Sequence, residues 1–135
     1  DYVPKDGVKF NHFTTLSGVM EKEDPTNFEF NVPSKLKDLY KNKDYGVYAD
    51  KDGEVHTDFI SNNDITGGNS GSPVINGNGE LVGLAFDGNW ESMTGDLMFN
   101  DKVQRTISVD IRYVLFVMDR FAGAGHLVRE MKLVP

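Results

Sequence analysis

Thr66-Gly67-Gly68-Asn69-Ser70-Gly71-Ser72-Pro73-Val74 sets a serine hydroxyl on a glycine-rich bend immediately ahead of an apolar run. Acyl transfer needs a serine oxygen in the open, with backbone N–H groups beside it aimed at the place where the oxyanion develops. That requires a tight bend with no obstructing side chains, which glycines at 67, 68 and 71 permit. Ser70 is therefore the candidate nucleophile. A phosphate-cradling loop also uses glycines, but it places Lys and Ser or Thr after the last of them, where this chain has Ser72-Pro73. The residues after Ser70 read as a strand, which separates the loop from a Gly-x-Ser-x-Gly elbow leading into a helix. Pro73-Val74-Ile75 and Leu81-Val82-Gly83-Leu84-Ala85-Phe86, joined across Asn76-Gly77-Asn78-Gly79, predict a β-hairpin.

Length and composition set the frame around this loop. With 135 residues, 39% of them hydrophobic, and a net charge of -7, the chain suits a single domain, residues 1–135, with room for one barrel or sandwich. No run approaches the roughly 20 apolar residues of a membrane span. The first residues lack the basic start and apolar run of a signal peptide, and position 1 is not Met, so the chain reads as a piece of a larger protein. The absence of cysteine excludes disulfides and thiolate metal sites. The acidic balance argues against a nucleic-acid surface.

Upstream of the loop, the apolar stretches Val8 to Phe10, Phe13 to Met20 and Phe28 to Val32 read as short strands. Pro33-Ser34 followed by Lys35-Leu36-Lys37-Asp38-Leu39-Tyr40 predicts a short capped helix. Asp50-Lys51-Asp52-Gly53 predicts a turn before a strand from Val55 to Ile60. It is no calcium loop, because the carboxylate wanted six residues after the glycine would be Phe59. Downstream, Gln104-Arg105-Thr106-Ile107-Ser108-Val109 predicts a strand, after which Asp110 can cap a helix beginning at Ile111. Ile111, Val114, Leu115, Met118 and Phe121 recur at helical spacing as a core-facing stripe. Gly123 is a plausible stop, and Leu127 to Met131 a last helical segment.

Short strands followed by C-terminal helices fit a mainly β fold, the second, serine-bearing β-barrel of a chymotrypsin-like double-barrel peptidase. In such enzymes the N–H groups of Gly68 and Ser70 would form the oxyanion hole, and the general base His and its orienting Asp come from the first barrel. This chain holds only His12, His56 and His126. His56 precedes the loop on a strand of the same barrel, where it would point away from the cleft. The expectation is that the base and its Asp lie on polypeptide outside these residues, leaving this piece inactive alone.

Three blocks carry a specific resemblance. They are Asn63-Asp64-Ile65-Thr66-Gly67-Gly68-Asn69-Ser70-Gly71-Ser72-Pro73-Val74, then Gly83-Leu84-Ala85-Phe86-Asp87-Gly88-Asn89-Trp90-Glu91, then Gln104 through Ile107-Ser108-Val109-Asp110-Ile111-Arg112-Tyr113-Val114. Together with Phe13-Thr14-Thr15-Leu16-Ser17-Gly18-Val19-Met20-Glu21-Lys22, they closely resemble the bacterial dipeptidyl-peptidase 7 and 11 family over nearly the whole chain. The resemblance implies a serine exopeptidase that removes dipeptides from free N-termini, with Ser70 as nucleophile. It also implies a longer parent with a first barrel and an inserted helical domain, a homodimer, and a bacterial periplasmic or cell-surface location. No cofactor or metal is implied.

The same resemblance makes residues Phe86, Asp87 and Gly88 the substrate-binding wall. Asp87 is expected to hold the substrate's ammonium by a charge-assisted hydrogen bond. An extended chain advances about 3.3 Å per residue, so an anchor two residues from the scissile carbonyl makes a peptidase a dipeptide cutter. At position 88 the family's Asp/Glu-cutting branch is expected to carry arginine, and the glycine branch to accept apolar side chains at P1, the residue whose carbonyl is attacked. Asp64, six residues before Ser70, stands where trypsin-like enzymes carry the acid that selects Lys or Arg, and is expected to be structural or hydrogen-bonding instead. Asn69 cannot form the ion pair that trypsin-like zymogens use on activation. A glutamyl-endopeptidase-type enzyme is the runner-up, and a non-catalytic peptide-binding module the alternative from another class. An endopeptidase has no amine for Asp87 to bind.

Overall fold

In the computed structural model, which describes residues 10–94, 100 and 102–134, Asn76 closes the hairpin that the sequence predicts. Its side-chain oxygen accepts from the N–H of Asn78 at 2.9 Å and of Glu80 at 3.1 Å, and its own N–H donates to the Glu80 carbonyl at 2.9 Å. Strands β3 (Pro73–Ile75) and β4 (Leu81–Gly88) therefore pair antiparallel. With β1 (Phe13–Thr15), β2 (His56–Ser61) and β5 (Thr106–Asp110), they form one five-stranded antiparallel sheet of order β1-β2-β5-β4-β3. The fold is mainly β in this form, a single sheet accompanied by short helices.

The central strand inverts the usual polarity of a sheet. On β5, Thr106, Ser108 and Asp110 are buried, whereas Ile107 and Val109 are only half-buried. The β4 residues opposite the buried three are small: Gly83 faces Asp110, Ala85 faces Ser108, and Gly88 faces Thr106. Gly83 has no room for a side chain, since a Cβ there would stand 2.6 Å from both the Phe59 ring and the Val109 carbonyl. The Thr106 hydroxyl donates to the Asn63 carbonyl at 2.7 Å, while the Ser108 hydroxyl has no partner among the described residues.

The described residues fall into two compact units. One comprises the chain up to Thr14 with Asp58–Ile111, and the other Thr15–Thr57 with the chain from Arg112. The second unit holds helices α1 (Leu16–Glu21), α2 (Ser34–Lys41), α3 (Ile111–Phe116, from Arg112 onward) and α4 (Gly125–Val128). Its apolar core is built on Phe116, which is fully buried among Tyr45, Tyr48 and Tyr113, with ring centroids 6.2, 6.4 and 6.0 Å away. Leu16, Leu36, Val55, Leu115 and Val128 complete it.

Several expected elements differ. The strand expected from Phe13 to Met20 ends at Thr15, whose hydroxyl accepts from the Gly18 N–H at 3.3 Å and so starts α1. The strand expected at Phe28 to Val32 is a 3-10 turn, Phe28–Phe30, begun by the Asn27 side chain accepting from Glu29 N–H at 3.0 Å. Of the strand expected from Val8 to Phe10, Val8 and Lys9 lie outside the described residues, and Phe10 makes an isolated bridge. Helix α2 forms as expected, but Pro33 begins it without a side-chain cap. After α3 the helix continues as a π turn, Val117–Phe121, and Gly123, at φ +69°, ends it as anticipated. The last helical segment is Gly125–Val128 rather than Leu127 to Met131.

Candidate active site

Ser70 stands exposed on a loop that fastens itself at both ends. The Asn69 side-chain oxygen accepts from the Thr66 N–H at 2.8 Å, and the Asn69 N–H donates to the Thr66 carbonyl at 3.1 Å. On the far side, Gly71 N–H donates to the Ala85 carbonyl at 2.6 Å, and Ala85 N–H donates to the Ser72 carbonyl at 2.9 Å. Gly68 at φ +98° and Gly71 at φ +87° take backbone conformations that a side chain would strain. Open space surrounds both, so conformation and not crowding requires glycine there.

The N–H groups of this loop divide into two sets. Those of Asn69, Gly71 and Ser72 are bonded within the protein. Those of Gly68 and Ser70 donate to no acceptor among the described residues. The Ser70 hydroxyl itself donates to the Phe86 carbonyl at 3.3 Å, a long bond.

Phe86 is the extra residue of a β-bulge. Ala85 pairs with Ser108 and Asp87 with Ile107, so one β4 residue is unmatched between them. Regular alternation would send Phe86 and Asp87 to opposite faces of the sheet. The bulge re-aims them, and both line the same open recess as Ser70. This recess has a volume of about 280 Å³. Its other walls come from the Ser70 loop (Ile65, Thr66, Gly67) and from Gly88, Asn89, Ser92 and Met93.

Asp87 is the only charged side chain among the described lining residues. One carboxylate oxygen accepts from the Gly88 N–H at 2.8 Å, and the other has no partner among the described residues. Asp87 is exposed and therefore available to a cation in the recess. Asp64 is exposed, lies outside the lining and hydrogen-bonds no described residue, so the bonding role expected for it is not found. Its neighbours Ile65 and Thr66 turn into the recess instead.

Reading the sequence missed the part of the lining that Asn89 organises. Asn89 receives the Arg105 N–H at 2.9 Å and the Ser92 hydroxyl at 2.6 Å, and donates to the Val103 carbonyl at 2.8 Å and the Glu91 carboxylate at 2.9 Å. It thereby fixes a 3-10 turn, Trp90–Thr94, directly after β4. The only signal for it was an Asn at a turn start, a residue type that bonds nearby backbone.

The three histidines do not line the recess. The His12 carbonyl accepts from Ile60 N–H at 2.8 Å, at the β1 edge. Three strand spacings, about 14 Å along the sheet, separate that edge from β4. His56 Nε2 is paired with Asp50 Oδ2 at 2.8 Å. Among the described residues no group of three or more His, Asp or Glu side chains converges to hold a metal ion, and no helix is long and apolar enough to cross a membrane.

Comparison with known proteins places these features in a family. Residues 1–133 match the family described as Peptidase S46. The chain is 63% identical over 133 residues to dipeptidyl-peptidase 7 of Phocaeicola vulgatus, covering 98% of this chain and 18% of that protein. It is 54% identical over 134 residues to the Asp/Glu-specific dipeptidyl-peptidase of Porphyromonas gingivalis, covering 99% and 19%. Among solved structures, Porphyromonas endodontalis DPP11 in complex with the dipeptide Arg-Glu superposes with a TM-score of 0.93 at 51% identity, over 96% of this chain and 18% of that one. The chain thus spans about a fifth of the length of the relatives it matches.

Proposed function

Because the chain belongs to the peptidase S46 family, we propose that it is the serine-bearing part of a longer dipeptidyl aminopeptidase that takes apolar residues at P1. The observation that carries this reading is the bulge at Phe86, which brings an unshared carboxylate oxygen of Asp87 into one recess with the Ser70 hydroxyl. A peptide lying extended across the recess would place its free ammonium against Asp87. Its second carbonyl carbon, about 6–7 Å along the chain, would then stand at Ser70. Ser70 Oγ attacks that carbon, the oxyanion is received by the N–H groups of Gly68 and Ser70, and the shortened peptide leaves as the amine. Water then releases the dipeptide from Ser70.

The general base is assigned to the rest of the polypeptide. His12 belongs to the far edge of the sheet and His56 is engaged by Asp50, so neither is offered to Ser70. The same reading makes the five-stranded sheet part of the second barrel of a double-barrel peptidase, and gives the whole protein a periplasmic or cell-surface location and a dimeric state.

Relatives that cut after Asp or Glu are nearly as similar overall, and the apolar preference rests on the lining of the recess. Ile65, Phe86 and Met93 give it apolar walls, and no described lining residue is a cation that could balance a P1 carboxylate. Asp87 would repel one.

Dipeptidyl fluorogenic substrates with free and blocked N-termini test the proposal in the full-length polypeptide. Cleavage of free-amine apolar substrates alone is expected, abolished by Ser70→Ala. Asp87→Ala should lower kcat/KM roughly 10- to 100-fold, the worth of one hydrogen bond to a charged group. The 135-residue chain by itself should cleave nothing. Activity on blocked substrates that survives Asp87→Ala would make the enzyme an endopeptidase.

A further inference from the structure

We propose that Ser92 is the floor of the recess and, together with Gly88, sets the size of the P1 side chain admitted; this rests on the reading above that the recess receives P1. A Cβ placed on Gly88 would stand 2.9 Å from Ser92 Cβ and 3.3 Å from its Oγ. Nothing larger than glycine fits at 88 without displacing Ser92.

Ser92 is held in place. Its hydroxyl donates to Asn89 Oδ1 at 2.6 Å, with the Arg105 carbonyl a further 3.3 Å contact, and its N–H donates to the Asn89 carbonyl at 2.8 Å. Asn89 is in turn bonded through both its backbone and its side chain to Arg105, and through its side chain to Val103. The single hydroxyl proton is spent on Asn89, so Ser92 offers the recess its Cβ and lone pairs and no donor. An apolar P1 group meets a floor of fixed depth, and a carboxylate meets nothing that would bind it. The same contact means that an arginine at 88 cannot enter this recess while Ser92 keeps its place.

The test is the ratio of kcat/KM for Phe against Ala at P1, on free-amine substrates and the full-length polypeptide. Ser92→Val should depress that ratio about 10-fold or more, since one methylene of misfit in an apolar pocket alters discrimination roughly 10- to 200-fold. Ser92→Gly should raise it. Gly88→Ala should act like Ser92→Val, and Ser92→Gly added to Gly88→Ala should restore the ratio. Equal losses on both substrates, or an unmoved ratio across the set, would overturn the assignment, because a merely structural serine affects both substrates alike. Calorimetric binding of Gly-Phe and Gly-Ala to the Ser70→Ala protein reads the same discrimination without turnover. Binding that ignores the Ser92 variants refutes the floor alone, and no binding or cleavage of any peptide refutes both it and the peptidase reading. A ratio that follows Ser92 on blocked substrates too would keep the floor while removing the free-amine requirement.

Discussion

Asp50 shows how one side chain can organise a turn and respond to acid. Its Oδ1 accepts from the N–H groups of Asp52 and Glu54 at 2.8 and 2.9 Å, and its Oδ2 meets His56 at 2.8 Å. The Glu54 N–H is the main cause that holds the Asp50 carboxyl below its ordinary value of 3.8; partial burial opposes it, and His56 and the Asp52 N–H assist. A carboxyl whose pKa is lowered by folding stabilises the native state above the unfolded value, and this is lost as pH falls through the folded one. The melting temperature should therefore drop on acidification below about pH 4, and Asp50→Asn should flatten that part of the curve. Thermal melts from pH 2 to 6 decide it. The sequence made this turn legible, because Asp-Lys-Asp-Gly is turn chemistry. It also singled out Ser70, Gly68 and Asp87 as candidates, since acyl transfer on a free-amine peptide would need those residue types. It could not mark Ser92, an unremarkable serine whose meaning comes from standing against Gly88.

Among elements, those with a turn on one side and alternation along them, β3 and β4, were legible. Helix α1 was not. Phe13 to Met20 is a short apolar stretch whose period fits strand or helix, and the choice rests on a single hydroxyl, that of Thr15 on Gly18. Thr15→Ala should cost about 1 kcal/mol in urea denaturation, with Thr15→Ser nearly neutral. The bulge in β4 was equally hidden, because a register slip belongs to a pair of strands and not to one. Regular alternation would put Phe86 and Asp87 on opposite faces of the sheet.

At the scale of the molecule, the apolar core and the candidate site occupy different units. Phe116 anchors the first, enclosed by tyrosines from two separate stretches of the chain, and Phe116→Ala should destabilise by about 3–5 kcal/mol in chemical denaturation. The helical stripe read from the sequence included Leu115 but passed over Phe116. Two of the three tyrosines that enclose Phe116, Tyr45 and Tyr48, lie some seventy residues upstream, and no local period reports them. The expected composition of a single domain says nothing of this division of labour.

The bulge at Phe86 also has a consequence for inheritance. Phe86 is the one unmatched residue of β4, so losing its codon would leave Asp87 opposite Ile107 but take the Phe86 wall out of the recess, with every other codon intact. A recess of this kind can be reshaped by a single in-frame insertion or deletion, a step that counts of substitutions between relatives do not register.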